Sequence, residues 1–261
     1  MPITIKTDED IKKLRRGGQI LGVILDELEK VAIAGNTTLD IDDRAMELIE
    51  EYKLEPMTLG YQPRFAGRPY PAATCISIND VVVHGIPNEY PTAIEEGDLV
   101  SIDLVIGYQG MVLDSARTVG VGAISEEAAQ LLAVTSTALE EGIKAAVAGN
   151  RVRAISAAIQ ASVPKGFSIV EVFAGHGVGY ELHEEPEVPN FVTKGETAVL
   201  EPGMVLAIEP MITSGGKDVF IDSADGYTVF TADGSLAAHM EHTVLITKKG
   251  PEVLTRGKRK K

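Results

Sequence analysis

One ten-residue pattern occurs twice in this chain. "ELEKVAIAGN" (27–36) and "EGIKAAVAGN" (141–150) share Glu, Lys, two Ala, Gly and Asn at an offset of 114 residues. Each copy follows a helical stretch and precedes another, so the chain reads as two versions of one plan. Thr7–Asp10 resembles a capping box. Ile11, Leu14, Ile20, Leu21, Ile24, Leu25 and Leu28 follow at near-helical spacing, with Gly35 expected to end the helix. Asp40 is placed to cap a second helix carrying Ala45, Met46, Leu48 and Ile49. In the second half Ser125 can cap a helix to about Ala148. Another is expected from about Val152 to Val163, stopped by Pro164.

Strand-like runs follow each helix pair: 74–78, 99–106 and 111–118, then 168–172, 204–209, 219–222, 226–230 and 240–247. "ADG" at 224–226 and 232–234 supplies turn punctuation. Helices and antiparallel strands are segregated, which predicts an α+β chain. The expectation is one domain over 1–261, its pseudo-symmetric halves (about 1–123 and 124–250) sharing one sheet.

The formal charge is −14, from 24 Lys and Arg against 38 Asp and Glu. Broad binding to DNA is therefore not expected, because phosphate recognition is driven by cationic neutralisation. The one clear basic cluster is "RGKRKK" at 256–261, read as a solvated tail or a contact for an acidic surface such as RNA. Cys75 is the only cysteine, so no intrachain disulfide can form, which fits a reducing compartment. The N-terminus "MPITIKTDED" has no apolar core of signal-peptide length, and nowhere do ~18 uncharged apolar residues run together. These features together predict a soluble, cytoplasmic protein with no membrane partner.

"VSIDLVIGYQGMVLDSART" (100–118) then poses a problem. It reads as a hairpin of two apolar strands, yet each strand carries an aspartate. With Tyr108 and Gln109 as the turn, Asp103 and Asp114 would sit directly opposite each other. Like charges so placed repel, unless one carboxyl keeps a proton or a cation sits between them. His176 and His183 in "AGHGVGYELHEEP", Glu209 in "LAIEPM" and Glu241 in "AAHMEHTVLIT" stand in similarly apolar settings. Several buried acids and imidazoles need metals or much other compensation. Oxygen ligands with one imidazole suit manganese, iron, cobalt or zinc, and a pair of such ions activates water for hydrolysis.

At these residues the chain resembles a known family. "VVVHGIP", "SIDL…LDSART", "GHGVG…LHEEP", "AIEPM" and "MEHTVLIT" resemble the motif series of methionine aminopeptidases, over about residues 5–250. The resemblance is to the compact type I, bacterial form, since only 26 residues separate His183 from Glu209. It implies a pita-bread fold and two divalent metal ions (cobalt, manganese, iron or zinc). It also implies removal of the initiator methionine from nascent polypeptides whose second residue is small, by attack of a metal-bridging hydroxide on the first peptide bond. The implied metal ligands are Asp103, Asp114, His176, Glu209 and Glu241, with Asp114 and Glu241 bridging and Glu209 shuttling protons. His84 and His183 would contact the scissile amide. Tyr61, Cys75 and Tyr227 match positions of the methionine pocket. The family also suggests a monomer and a transient ribosome contact.

Some features depart from the pattern. "QPRFAGRPYPAAT" between Tyr61 and Cys75 is longer than in the compact form, and either reshapes the pocket entrance or is a surface insertion. Leu182 stands where an aromatic is common, Val83 where cysteine is frequent, and Tyr227 where many relatives have tryptophan. Two rival readings compete with this one: a prolidase or aminopeptidase P, which carries a larger N-terminal region, and a peptide-binding module that has lost its ligands.

Overall fold

In the computed structural model, residues 2–63, 66–195 and 197–257 are described. Arg64 and Phe65 of the long loop, and residues 258–261 of the basic tail, lie outside them. The first half contains α1 (Asp8–Leu28), α2 (Thr38–Tyr52), β1 (Glu55–Pro56), β2 (Thr74–Ile78), β3 (Val81–Val83), β4 (Leu99–Tyr108) and β5 (Met111–Gly120). The second begins with α3 (Glu126–Ala145) and α4 (Val152–Ser162), then β6 (Ser168–Ile169), β7 (Ala174–Gly177), β8 (Glu184–Pro189), β9 (Val205–Ile208) and β10 (Met211–Thr213). It ends with β11 (Val219–Ile221), β12 (Val229–Thr231), β13 (Ala237–His239), β14 (His242–Thr247) and β15 (Gly250–Val253).

Side-chain caps start three of the helices. The Thr7 hydroxyl accepts from the Asp10 amide while the Asp10 carboxylate accepts from the Thr7 amide, a complete capping box. Ser125 caps α3. The second helix departs from expectation: Thr37 is its cap and Asp40 the reciprocating third residue. Helix α1 also stops at Leu28, well before Gly35: the N–H groups of Lys30, Val31 and Ala32 turn back onto the Glu27 and Leu28 carbonyls, and beyond them the Asn36 amide donates to Val31 O (2.9 Å). Asn150 makes the corresponding bond to Ala145 O (3.0 Å) in the second copy of the repeat. The backbone repeats too: Ile94 N–H donates to Asn36 O and Leu200 N–H to Asn150 O, both at 2.8 Å.

Two apolar cores follow this plan. In one, Leu21, Ile24 and Leu25 of α1 pack with Ile41 of α2 against Ile102 and Leu104 of β4. In the other, Leu131 and Leu139 of α3 and Ile155 and Ile159 of α4 pack against Leu206, Ile208 and Val244. Each such side chain, fully buried, contributes roughly 1.5–3 kcal/mol. The backbone of α1 approaches the chain's C-terminal segment closely: a Cβ on Gly18 would lie 2.4 Å from Leu254 O.

The β4–β5 hairpin turns at Gln109 and Gly110, not at Tyr108 and Gln109. Both central residues have positive φ (51° and 77°), the geometry of a two-residue type I′ turn, which glycine tolerates best at the second position. Tyr108 therefore pairs with Met111, Val105 with Asp114 and Asp103 with Ala116. The two aspartates are diagonal neighbours instead of a facing pair. A shift of two residues preserves the face, so both still point to the same side. The free edge of β5 meets the second half: Glu241 N–H donates to Ala116 O, and Thr243 Oγ1 pins Asp114 N–H (3.0 Å) and O (2.7 Å). Among the described residues no helix is long and apolar enough to cross a membrane.

Candidate metal centre

The seam between the halves holds the predicted site residues. Asp103 and Asp114 come from the hairpin, His176 from β7, Glu209 from the end of β9, and Glu241 from the approach to β14. All five line one cavity of about 180 Å³, together with His84, His183, Tyr61, Cys75 and Tyr227. One ligand atom from each of Asp114, His176 and Glu241 lies within 4.8 Å of the others.

The donor set fits a cation. His176 Nδ1 sits 3.0 Å from Gly177 O, and a carbonyl can only accept, so the ring hydrogen belongs on Nδ1. That leaves the Nε2 lone pair facing Asp114 Oδ2 (3.9 Å) and Glu209 Oε1 (3.4 Å). Burial, with His183 nearby, pushes the His176 pKa down to about 3, so the ring is neutral and cannot pair with those acids as an imidazolium. Burial and the charge of Glu209 push Asp114 up to about 7, and burial pushes Glu209 up to about 8. Asp103 and Glu241 are raised well above the carboxylate range by burial and by Asp114. Asp103 Oδ1, Asp114 Oδ1 and Glu241 Oε1 are buried and have no hydrogen-bond partner among the described residues. Such oxygens are costly unless protonated or ligated.

The other residues form walls around this floor. His84 takes a left-handed conformation (φ 62°) after β3, and burial with the neighbouring His239 lowers its pKa to about 4. Its ring meets Phe173 edge-on at 5.5 Å. The His183 ring sits with its centre 4.3 Å from that of His176, tilted by 55°, and its Nδ1 is 2.9 Å from the Tyr61 hydroxyl. Cys75 pairs with Asp103 across β2 and β4, and burial pushes its thiol up. The long loop is no mere surface insertion. Its Tyr70 is 3% exposed, donates to Gly85 O at 2.8 Å and meets Tyr227 edge-on at 5.1 Å. Tyr227 in turn bonds Arg68 O, and Arg68 grips Glu89 with two nitrogens at 2.5 Å each. Pro63 and Tyr70 thus line the cavity itself.

The sequence reading passed over one residue here. His239 is 3% exposed and lines the cavity, its Nε2 3.5 Å from Glu209 Oε2.

The model of metallopeptidase family M24 matches residues 12–248. This chain belongs to that family, among its methionine aminopeptidases. A methionine aminopeptidase of Clostridium acetobutylicum is 46% identical over 257 residues, covering 97% of this chain and 98% of the relative. The crystal structure of a methionine aminopeptidase from Thermotoga maritima superposes with a TM-score of 0.91 at 41% identity, covering 97% of this chain and 99% of that one. A prolidase from Pyrococcus horikoshii, at 24% identity and TM-score 0.75, shares the fold alone, and this chain covers 64% of it. The fold is the α+β pita-bread fold.

Proposed function

We propose that this M24 metallopeptidase releases the N-terminal methionine of polypeptides whose second residue is small. Two divalent cations would be held by Asp103, Asp114, His176, Glu209 and Glu241. The observation that carries this reading is the convergence of Asp114, His176 and Glu241 within 4.8 Å at a cavity with otherwise largely apolar walls. Bound cations supply Lewis acidity, lowering the pKa of water and polarising a carbonyl.

The chain's own residues do the rest. Tyr70, Cys75, Leu182 and Tyr227 supply apolar wall to the cavity of about 180 Å³ that also holds the candidate ligands. The whole cavity is below the ~300–1,000 Å³ typical of sites for drug-sized molecules, which suits the end of a peptide. The Tyr61 hydroxyl lies 2.9 Å from His183 Nδ1; donating there, it would place the ring hydrogen on Nε2. His183 can then donate to the carbonyl oxygen of the scissile bond as charge develops there. His84, kept neutral by burial, hydrogen-bonds the peptide without carrying a charge into the site. Glu209 would accept a proton and return it to the leaving amine, a role a ligated carboxylate can share by hydrogen-bonding the attacking water. The substrates would be nascent polypeptides and the acting species a cytoplasmic monomer. Arg256 and the basic residues after it would make any contact with ribosomal RNA.

The test uses chelator-stripped protein, with manganese, iron, cobalt or zinc added back singly. The peptides are Met-Ala-Ser, Met-Leu-Ser, Leu-Ala-Ser and Ala-Pro-Ser. Metal-dependent cleavage of Met-Ala-Ser alone is expected. Preference for Ala-Pro-Ser would replace the reading with an aminopeptidase P activity.

A further inference from the structure

The turn that brings Leu182 and His183 to the cavity is held by the chain's N-terminal arm. Lys6 Nζ donates to Glu184 Oε2 at 2.6 Å, and both side chains are 1% exposed. Thr4 Oγ1 bonds the same carboxylate oxygen. The other oxygen, Oε1, accepts the N–H groups of Tyr180 (2.6 Å) and Glu181 (3.1 Å). One carboxylate therefore closes the turn from within and is itself closed by the lysine. The Tyr180 hydroxyl donates to Asp10 Oδ2 (2.7 Å), the oxygen that also completes the capping box of α1.

The arm is fixed along its backbone as well. Ile3 forms a parallel bridge with Glu185, so the arm extends the sheet beside β8, and Lys6 N–H donates to Gly203 O at 2.9 Å. The lysine stem packs against the turn so closely that a Cβ on Gly179 would lie 2.2 Å from Lys6 Cε. The ammonium sits 4.6 Å from the centre of the Tyr180 ring. A buried ion pair is a poor source of stability, since a well-packed apolar pair often does as well. What the pair adds is direction: it allows the turn one arrangement.

We propose that Lys6 and Glu184 are positioning residues for the reaction, setting the turn so that the adjacent His183 stands over the cavity. This rests on the reading of His183 as a substrate contact. The N-terminal arm is then part of the active-site scaffold and not only a cover for a sheet edge.

The experiment compares Lys6→Met, Lys6→Met/Glu184→Gln and Glu184→Leu in the metal-loaded full chain. It records kcat and KM on Met-Ala-Ser and the ring signals of the five histidines in ¹⁵N-labelled protein. Lys6→Met strands a buried carboxylate, so the turn rearranges. A loss of roughly 10–100-fold in kcat is expected, the scale of a small misplacement of a reacting group, with KM little changed. The His183 ring signals move while those of His242 stay. The double variant keeps an amide oxygen for Tyr180 and Glu181 without a charge, so it recovers most of the lost kcat. Glu184→Leu removes that acceptor and loses kcat without the recovery seen in the double variant. Wild-type kcat with unmoved His183 signals in Lys6→Met would overturn the proposal. So would equal kcat losses in Lys6→Met and the double variant. If Lys6→Met does not fold, Glu184→Gln alone carries the test, since it keeps both amide contacts and loses the ion pair. If the wild type cleaves no methionyl peptide, the functional reading falls, while the ring signals still decide the positioning claim.

Discussion

His176 Nε2 lies 3.4 Å from Glu209 Oε1, in the range expected for two atoms that ligate one cation with bonds near ~2.1 Å. With the ring hydrogen on the Gly177 side, the Nε2 lone pair faces the carboxyl, and either a carboxyl proton or a shared cation reconciles them. His176→Ala should therefore weaken metal binding by at least ~100-fold, since loss of an outer partner alone typically costs 10–100-fold. Competition with a coloured chelator measures it. Unchanged affinity would remove His176 from the ligand set.

Metal should also stabilise the fold. Five buried acids and imidazoles face one another across the seam. A cation at ~100 times its dissociation constant adds about 2.7 kcal/mol. For a chain of this size that is roughly 5–10 °C in Tm. Scanning calorimetry with and without chelator should show the rise. Asp114→Asn, which removes one of the facing charges, should show a smaller one.

Tyr61→Phe deletes only the 2.9 Å hydrogen bond to His183 Nδ1. A net loss of about 0.5–1.5 kcal/mol corresponds to a ~2–10-fold fall in kcat. The methionine-for-leucine preference at the first position should be unchanged, because Tyr61 acts here through the histidine.

Acid lability should trace in part to Glu184. Its carboxyl is held below the ordinary value of 4.5: burial opposes the shift, but the hydrogen bonds from Lys6 and Thr4 and the Lys6 charge outweigh it. A depressed folded pKa means that the unfolded chain takes up the proton first as pH falls. The stabilisation is complete above about 4.5 and is lost as pH drops through the lower folded value. Urea unfolding between pH 3 and 7 should fall more steeply on the acid side for the wild type than for Glu184→Gln.

Much of this was legible from local chemistry. The Thr7 and Ser125 caps and the segregation of helices from strands are written in adjacent residues. The helix end at Leu28 was not, because its last carbonyls are met by backbone N–H groups of a turn that no periodicity marks. The hairpin register was misjudged by two residues because the left-handed demand of a type I′ turn falls on Gln109 and Gly110. The face survived because two is the period of a strand. The site was legible as acids in apolar strands, but His239 was not, since β13 is only three residues long. The Lys6–Glu184 pair joins residues 178 apart, and nothing local announces it.

The central claim is metal-dependent removal of one N-terminal methionine, and intact-protein mass spectrometry tests it directly. A small folded protein beginning Met-Ala-Ser would be incubated with chelator-stripped enzyme, then with each metal restored. The account predicts loss of a single methionine residue only with metal, and none with the Asp114→Asn variant. Loss without metal, or none with any metal from a Met-Ala-Ser terminus, would contradict it.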